Sequence, residues 1–350
     1  MSEVAHGSLD DGERARLAAA GIRVTDLSAN INPYGPHRRV VRAARMADFA
    51  RYPATDAAEL REAYAGALGL SPHEVLAGNG SSELIYLVAR AFASDGRTAM
   101  VVEPTFGEYR AAVEAAGGHV HELRSKAEDG FALDLEALVA RIDAVRPALL
   151  FICNPNNPTG TVLDRAAMDR LTAATAAAGG RVVVDEAYMD LARPLDESVR
   201  PGPARLVLRS LTKLHAIPGL RVGLLLGCAD DIATVARLQP PWPVSVPAMA
   251  AALQALREER FARDSVRRLA RTRTRMALLL REGGWVSPEP AANFFLVHVA
   301  DGAAFRGRMI GHGFAVRDCA SFGLPEYVRI AVPRDEMVEP LMAALKECRV

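Results

Sequence analysis

The sequence predicts an α/β protein with a large domain on a mostly parallel sheet and a smaller α+β domain. Three observations predict it. Short apolar, β-branched runs alternate with amphipathic stretches from about residue 40 to 230, as strands covered by helices on both faces require. The texture changes after Pro240-Pro241, where a long Ala-, Leu- and Arg-rich stretch begins. The length of 350 residues suits roughly two domains.

In chain order, residues 1–38 read as an N-terminal arm joining the small domain, 39–238 as the large domain and 239–350 as the small one. Strands are expected at 98–103 (TAMVVE), 119–123, 148–153 (ALLFIC), 181–185 (RVVVD), 205–209 and 221–227, with helices at 82–93, 108–116, 135–145 and 165–178 between them. Beyond the double proline, 246–282 reads as one long helical region. Strands follow at 285–287, 293–299, 314–317 and 327–332, with helices near 303–312 and 335–346.

Lys+Arg and Asp+Glu both number 42 and no basic run occurs, so neither nucleic acid nor an acidic membrane is indicated as a partner. Cys153, Cys228, Cys319 and Cys348 are far apart and form no CxxC pair; they read as reduced thiols. No run approaches the ~18 apolar residues of a membrane span. The polar, acidic start is unlike a signal peptide, and a cytoplasmic location is expected. Nearly all the basic charge is arginine: the only lysines are Lys126, Lys213 and Lys346.

Lys213 follows an expected strand and has apolar neighbours, whereas Lys126 lies in a charged loop and Lys346 among polar residues of the last helix. A partly desolvated amine is the better Schiff-base former, which singles out Lys213. Asp185 closes the run RVVVD; a carboxylate there needs a cationic or hydrogen-bonding partner. Asn154-Pro-Asn-Asn-Pro-Thr-Gly160 is by composition a turn. In Leu76-Ala-Gly-Asn-Gly-Ser-Ser-Glu83, glycines and serines precede a helix, as in an anion site. A dinucleotide fingerprint fits this segment poorly, because Glu83 stands where the third glycine belongs. His119 and His121 share one face of a strand and read as a solvated pair rather than metal ligands. No metal site is expected, and His215 is a candidate pocket residue.

Taken together, the glycine-rich loop, Tyr109, Asn-Asn-Pro-Thr-Gly, Asp185, Ser210-x-x-Lys213 and Arg221 form an ordered set. That set resembles the fold-type I, aspartate-aminotransferase-like enzymes that use pyridoxal 5'-phosphate, and among them the histidinol-phosphate aminotransferase group. The resemblance implies that Lys213 carries the cofactor and moves protons, and that Asp185 pairs with the ring nitrogen. Asn157 and Tyr188 would bond the ring hydroxyl, and Tyr109 would stack on the ring. Gly80, Ser81, Ser210 and Arg221 would hold the phosphate, with Tyr52 from a neighbouring subunit of a homodimer with shared active sites. Arg329 would bind the substrate carboxylate, with Asn32, His6 and Arg317 as further substrate residues.

Several segments look closest to threonine-phosphate decarboxylase: His6-Gly7, Ser28-Ala-Asn-Ile-Asn-Pro33, Pro104–Tyr109, Pro240-Pro-Trp242 and Arg317–Phe322. At position 31 the aminotransferases usually carry Glu rather than Ile. The chain departs from the decarboxylases at Ser8, where they carry glycine, and at Trp242-Pro-Val-Ser. The first expectation is therefore α-decarboxylation of a small, possibly phosphorylated amino acid to an amine. The alternatives are amino transfer of the histidinol-phosphate type and a diverged enzyme of a specialised biosynthetic pathway. A non-enzymatic regulator on the same fold is disfavoured, because suitable residues occupy all the cofactor positions.

Overall fold

The computed structural model describes residues 7–192 and 198–349. Its strands are β1 (Thr25–Asp26), β2 (Val75–Gly78), β3 (Thr98–Glu103), β4 (His119–Arg124), β5 (Leu149–Cys153), β6 (Arg181–Asp185), β7 (Arg205–Ser210), β8 (Gly223–Leu226), β9 (Phe294–His298), β10 (Phe314–Ala315), β11 (Arg317–Asp318) and β12 (Tyr327–Ala331). Seven form one sheet in the order β2-β8-β7-β6-β5-β3-β4. Strands β7, β6, β5, β3 and β4 run parallel, and β8 is antiparallel to both its neighbours. The sheet is therefore mostly parallel, as the continuous apolar runs predict.

Alternation along each strand feeds two cores. Leu150, Val182 and Val207 enter one buried cluster, while their chain neighbours Phe151, Val183 and Leu208 enter the other, on the opposite face. In the smaller lobe β11, β12 and β9 form an antiparallel sheet, and β1 of the N-terminal arm pairs with β10. Leu27 of the arm packs there with Phe295, Val328 and Leu341.

The region 246–282 is two helices, Val246–Leu256 and Glu259–Glu282, rather than one. Ala248, Met249 and Ala252 of the first pack with Val40 in a core of the large sheet. We therefore place the division between the lobes after Leu256, not at 238. No strand forms at 285–287. Strand β2 and the helices Arg38–Arg45 and Ala58–Leu68 were not foreseen. Three of the four residues of β2, Leu76–Gly78, belong to the glycine-rich segment.

Candidate active site

A cavity of about 670 Å³ opens where the carboxyl ends of β5, β6 and β7 meet the start of the helix Gly80–Phe92, the ligand position typical of open α/β sheets. Its far wall comes from Gly7, Ser8, Asn30 and Ile31 of the arm and from Phe322 and Arg329 of the small lobe.

Asp185, the last residue of β6, is buried. The Tyr109 hydroxyl donates to its Oδ2 (2.7 Å), and the Ala187 N–H donates to its Oδ1 (2.9 Å). Burial pushes the carboxyl above its ordinary range, while these donors and the Lys213 charge pull it back. Tyr109 is wholly buried and stacks on Phe151, with centroids 5.1 Å apart; burial and the Asp185 charge hold its phenol protonated. Tyr109 lines the cavity, but its hydroxyl is committed to Asp185, a role that the resemblance did not give it.

Lys213 sits in the short helix Leu211–Leu214 directly after β7 and lines the cavity, its Nζ 5.7 Å from the centroid of the Tyr188 ring. The Tyr188 ring is fixed edge-on against Phe294. Lys126 is exposed and paired with Glu128, and Lys346 is exposed. Among three lysines, only Lys213 faces the cavity.

At one end of the cavity the donors suit a phosphate. The helix Gly80–Phe92 has no side-chain cap at Asn79, so the N–H groups of its first turn are free to meet an anion. The Ser210 and Thr212 hydroxyls lie 2.8 Å apart, and both line the cavity with Arg221. A Cβ at residue 80 would stand 2.5 Å from Arg221 Nη2, and Gly80 has φ +78°. Gly80→Ala is thus expected to displace Arg221 and weaken pyridoxal-phosphate binding by roughly tenfold or more; a fluorescence titration with the cofactor checks it.

At the other end Arg329 is buried. Its Nη2 donates to the Ser28 carbonyl (2.7 Å) and its Nη1 to Asn157 Oδ1, leaving the Asn157 amide free to donate into the cavity. Arg317 stands directly opposite Arg329 across β11 and β12 and donates to Ser321 Oγ (2.7 Å). Burial, and then the Arg329 charge, push Arg317 below the ordinary guanidinium value.

The structure brings together Gly80, Ser81, Tyr109, Asn157, Asp185, Tyr188, Ser210, Lys213, Arg221 and Arg329. The other expected residues lie outside that lining. Asn32 is not a cavity residue: its Nδ2 donates to the Leu214 carbonyl (2.7 Å) and its Oδ1 accepts from the Tyr34 N–H (3.0 Å). Arg317 stands behind the lining, reaching it through Ser321. His215 is buried but outside the lining. Tyr52 lies outside its own chain's cavity, 77% exposed and against Trp242. His6 falls outside the described residues. His121 accepts from Arg141 (2.7 Å), and among the described residues no group of three His, Cys, Asp or Glu side chains could hold a metal.

Several cavity residues were missed, among them Thr105, Arg110 and Thr212. Asn30 is another, 2% exposed with neither side-chain polar atom hydrogen-bonded among the described residues. The signal for Asn30 was present, since an Asn before Pro tends to spend its side chain on an Asx turn. In Asn30-Ile-Asn32-Pro33 that leaves the earlier Asn for the cavity.

Pyridoxal 5'-phosphate fits these residues. Gly80 leaves room for the Arg221 guanidinium beside a phosphate-sized cup, and a buried carboxylate and a cavity-facing lysine follow along the same cavity.

Known proteins agree with this geometry. The family described as aminotransferase class I and II matches residues 22–345. The histidinol-phosphate aminotransferase of Symbiobacterium thermophilum is 36% identical over 348 residues, covering 92% of this chain and 90% of that protein. Among solved structures, the histidinol-phosphate aminotransferase of Sinorhizobium meliloti in complex with pyridoxal-5'-phosphate superposes with a TM-score of 0.84 at 25% identity, covering 97% of this chain and 95% of that one. The aspartate aminotransferase of Thermotoga maritima, at 23% identity, shares the fold with a TM-score of 0.85, covering 96% of this chain and 95% of that one. The chain belongs to the aminotransferase class I and II family, with the aspartate-aminotransferase-like fold and pyridoxal 5'-phosphate as its cofactor.

Proposed function

We propose that this protein transfers an amino group to or from a small, phosphorylated substrate of the histidinol-phosphate type. The observation that carries this reading is the buried Arg329 guanidinium, which lines the cavity at the opposite end from the phosphate cup. A buried guanidinium suits a phosphate tail, and the curated relatives are histidinol-phosphate aminotransferases.

When bound, the cofactor supplies an electron sink for the bond broken at the substrate's α-carbon. Lys213 would hold the cofactor through its amine, and the same amine would take or return the proton at the substrate's α-carbon. Asp185 would pair with the ring nitrogen, and Tyr109 and the Ala187 N–H fix that carboxylate. The Asn157 amide, whose oxygen accepts from Arg329, and the Tyr188 hydroxyl would bond the ring hydroxyl. Gly80, Ser81, Ser210, Thr212 and Arg221 would hold the phosphate, with Tyr52 contributed across the interface of a homodimer.

Asn30 contacts the substrate in this reading. Leaving a buried amide unsatisfied costs roughly 1–3 kcal/mol per polar group, so its carboxamide is stabilised when a substrate group meets it. Asn30→Ala is expected to raise KM about tenfold with little change in kcat and no loss of thermal stability; steady-state kinetics and thermal unfolding check both parts.

Ile31 favours a second reading. It lines the cavity where the aminotransferases usually carry Glu, as threonine-phosphate decarboxylase does not. One experiment separates the two. The cofactor-loaded protein is mixed with L-histidinol phosphate or O-phospho-L-threonine, and cofactor absorption, product mass and carbon dioxide are followed. Conversion of the cofactor to its aminated form with an oxo product supports amino transfer. Carbon dioxide with a phosphorylated amino alcohol overturns it in favour of decarboxylation.

A further inference from the structure

We propose that a second cavity, in the groove between the lobes, is a binding site for a small oxyanion of the phosphate class. This cavity of about 620 Å³ lies where the helix Arg38–Arg45 meets the start of the helix Glu259–Glu282. It shares no lining residue with the active-site cavity.

Three guanidiniums enter it without a carboxylate partner among the described residues. The Arg38 side chain makes no hydrogen bond or ion pair among the described residues. Arg268 lies over the Tyr34 ring, 5.2 Å from its centroid, and has no ion pair. Arg334 donates its Nε to the Pro33 carbonyl (2.7 Å) and stands 6.0 Å from the same ring. The acids of the groove are already engaged. Glu258 is bonded by Gln254 (2.7 Å) and faces His37 (3.4 Å) and Arg39 (3.6 Å), and Asp264 faces Arg260 (3.8 Å).

A second observation has the same sign. The helix Arg38–Arg45 has neither a side-chain cap at His37 nor an acid in its first turn. Its first-turn N–H groups and dipole therefore favour negative charge at the same groove. Three guanidiniums with this helix end match an oxyanion with several acceptor oxygens and more than one charge better than a single carboxylate.

The place also matters. Arg38 belongs to the large lobe, whereas Arg268 and Arg334 flank the small lobe's core, so a bound oxyanion spans the hinge. From Tyr34 two hydrogen bonds lead to the cofactor-bearing segment: the Tyr34 N–H donates to Asn32 Oδ1 (3.0 Å), and the Asn32 N–H donates to the Lys213 carbonyl (3.0 Å). The inference does not depend on which reaction the active site performs.

The test is calorimetric titration of the cofactor-loaded protein with inorganic phosphate, and with glycerol 3-phosphate as a monoester. An Arg329→Gln variant silences anion binding in the active-site cavity. That variant is expected to keep one saturable phosphate site. Adding Arg38→Gln and Arg268→Gln, both at exposed positions, is expected to weaken it roughly tenfold or more, with the thermal midpoint confirming an intact fold. No saturable site in the Arg329→Gln protein, or unchanged binding in the groove variant, overturns the proposal. Tighter binding of the monoester identifies a phosphorylated metabolite as the occupant; tighter binding of phosphate identifies the free ion.

Discussion

Lys213→Ala is expected to lower turnover by at least about 10³-fold without unfolding the protein, because one side chain both holds the cofactor and moves the proton. Lys213 is the one lysine that faces the cavity, and Lys126 and Lys346 lie on the surface. Neither can substitute for it. The fold has little stake in this side chain: the Lys213 amine has no hydrogen bond or ion pair among the described residues, and its ring contact is the Tyr188 face. The phosphate cup is untouched, so the variant should still take up the cofactor, more weakly. Single-turnover kinetics and thermal unfolding, with and without cofactor, check the two halves. A small primary amine in solution is expected to restore part of the rate, which a merely structural loss would not allow.

Asp185→Asn carries the second large effect, a fall in kcat of roughly 10²–10⁴-fold, and it has a distinct signature. Burial raises the Asp185 carboxyl above its ordinary range in the cofactor-free protein. A carboxyl whose folded value is raised gives stability that is fully present below its unfolded value and is lost as pH rises through the folded one. The cofactor-free protein therefore loses stability from this group as pH climbs out of the acid range, until a pyridinium partner arrives. Asn cannot ionise, so the cofactor-free variant should melt higher than the parent at neutral pH and gain less on adding cofactor. Glu186 is also buried and raised, but it is common to both proteins and cancels in the comparison. Melting temperatures across pH, with and without cofactor, measure the effect.

The large sheet was legible because its inner strands, such as β5 and β6, are buried and read as unbroken apolar runs. The exceptions are physical. The stretch 246–282 has one continuous helical composition, and nothing local marks the break at Arg257-Glu258. There the chain leaves one core for another, and Glu258 turns to His37 and Arg39. Strand β2 is too short to show a period. At the site, residues tied to a strand end were the readable ones: Asp185 closes β6, and Lys213 follows β7. The arm was harder. Asn30 and Asn32 are the same residue type two positions apart, and only the turn at Tyr34 decides which one faces the cavity. Arg317 and Arg329 are twelve residues apart in sequence, and only the β11–β12 register puts them face to face.

The most direct test of the central claim is to reduce the cofactor-loaded protein with borohydride, digest it and locate the added cofactor mass. Lys213 as the cofactor-bearing residue predicts that the mass appears on the peptide containing Lys213 and nowhere else. Cofactor mass on the Lys126 or Lys346 peptide, or on none, would contradict it.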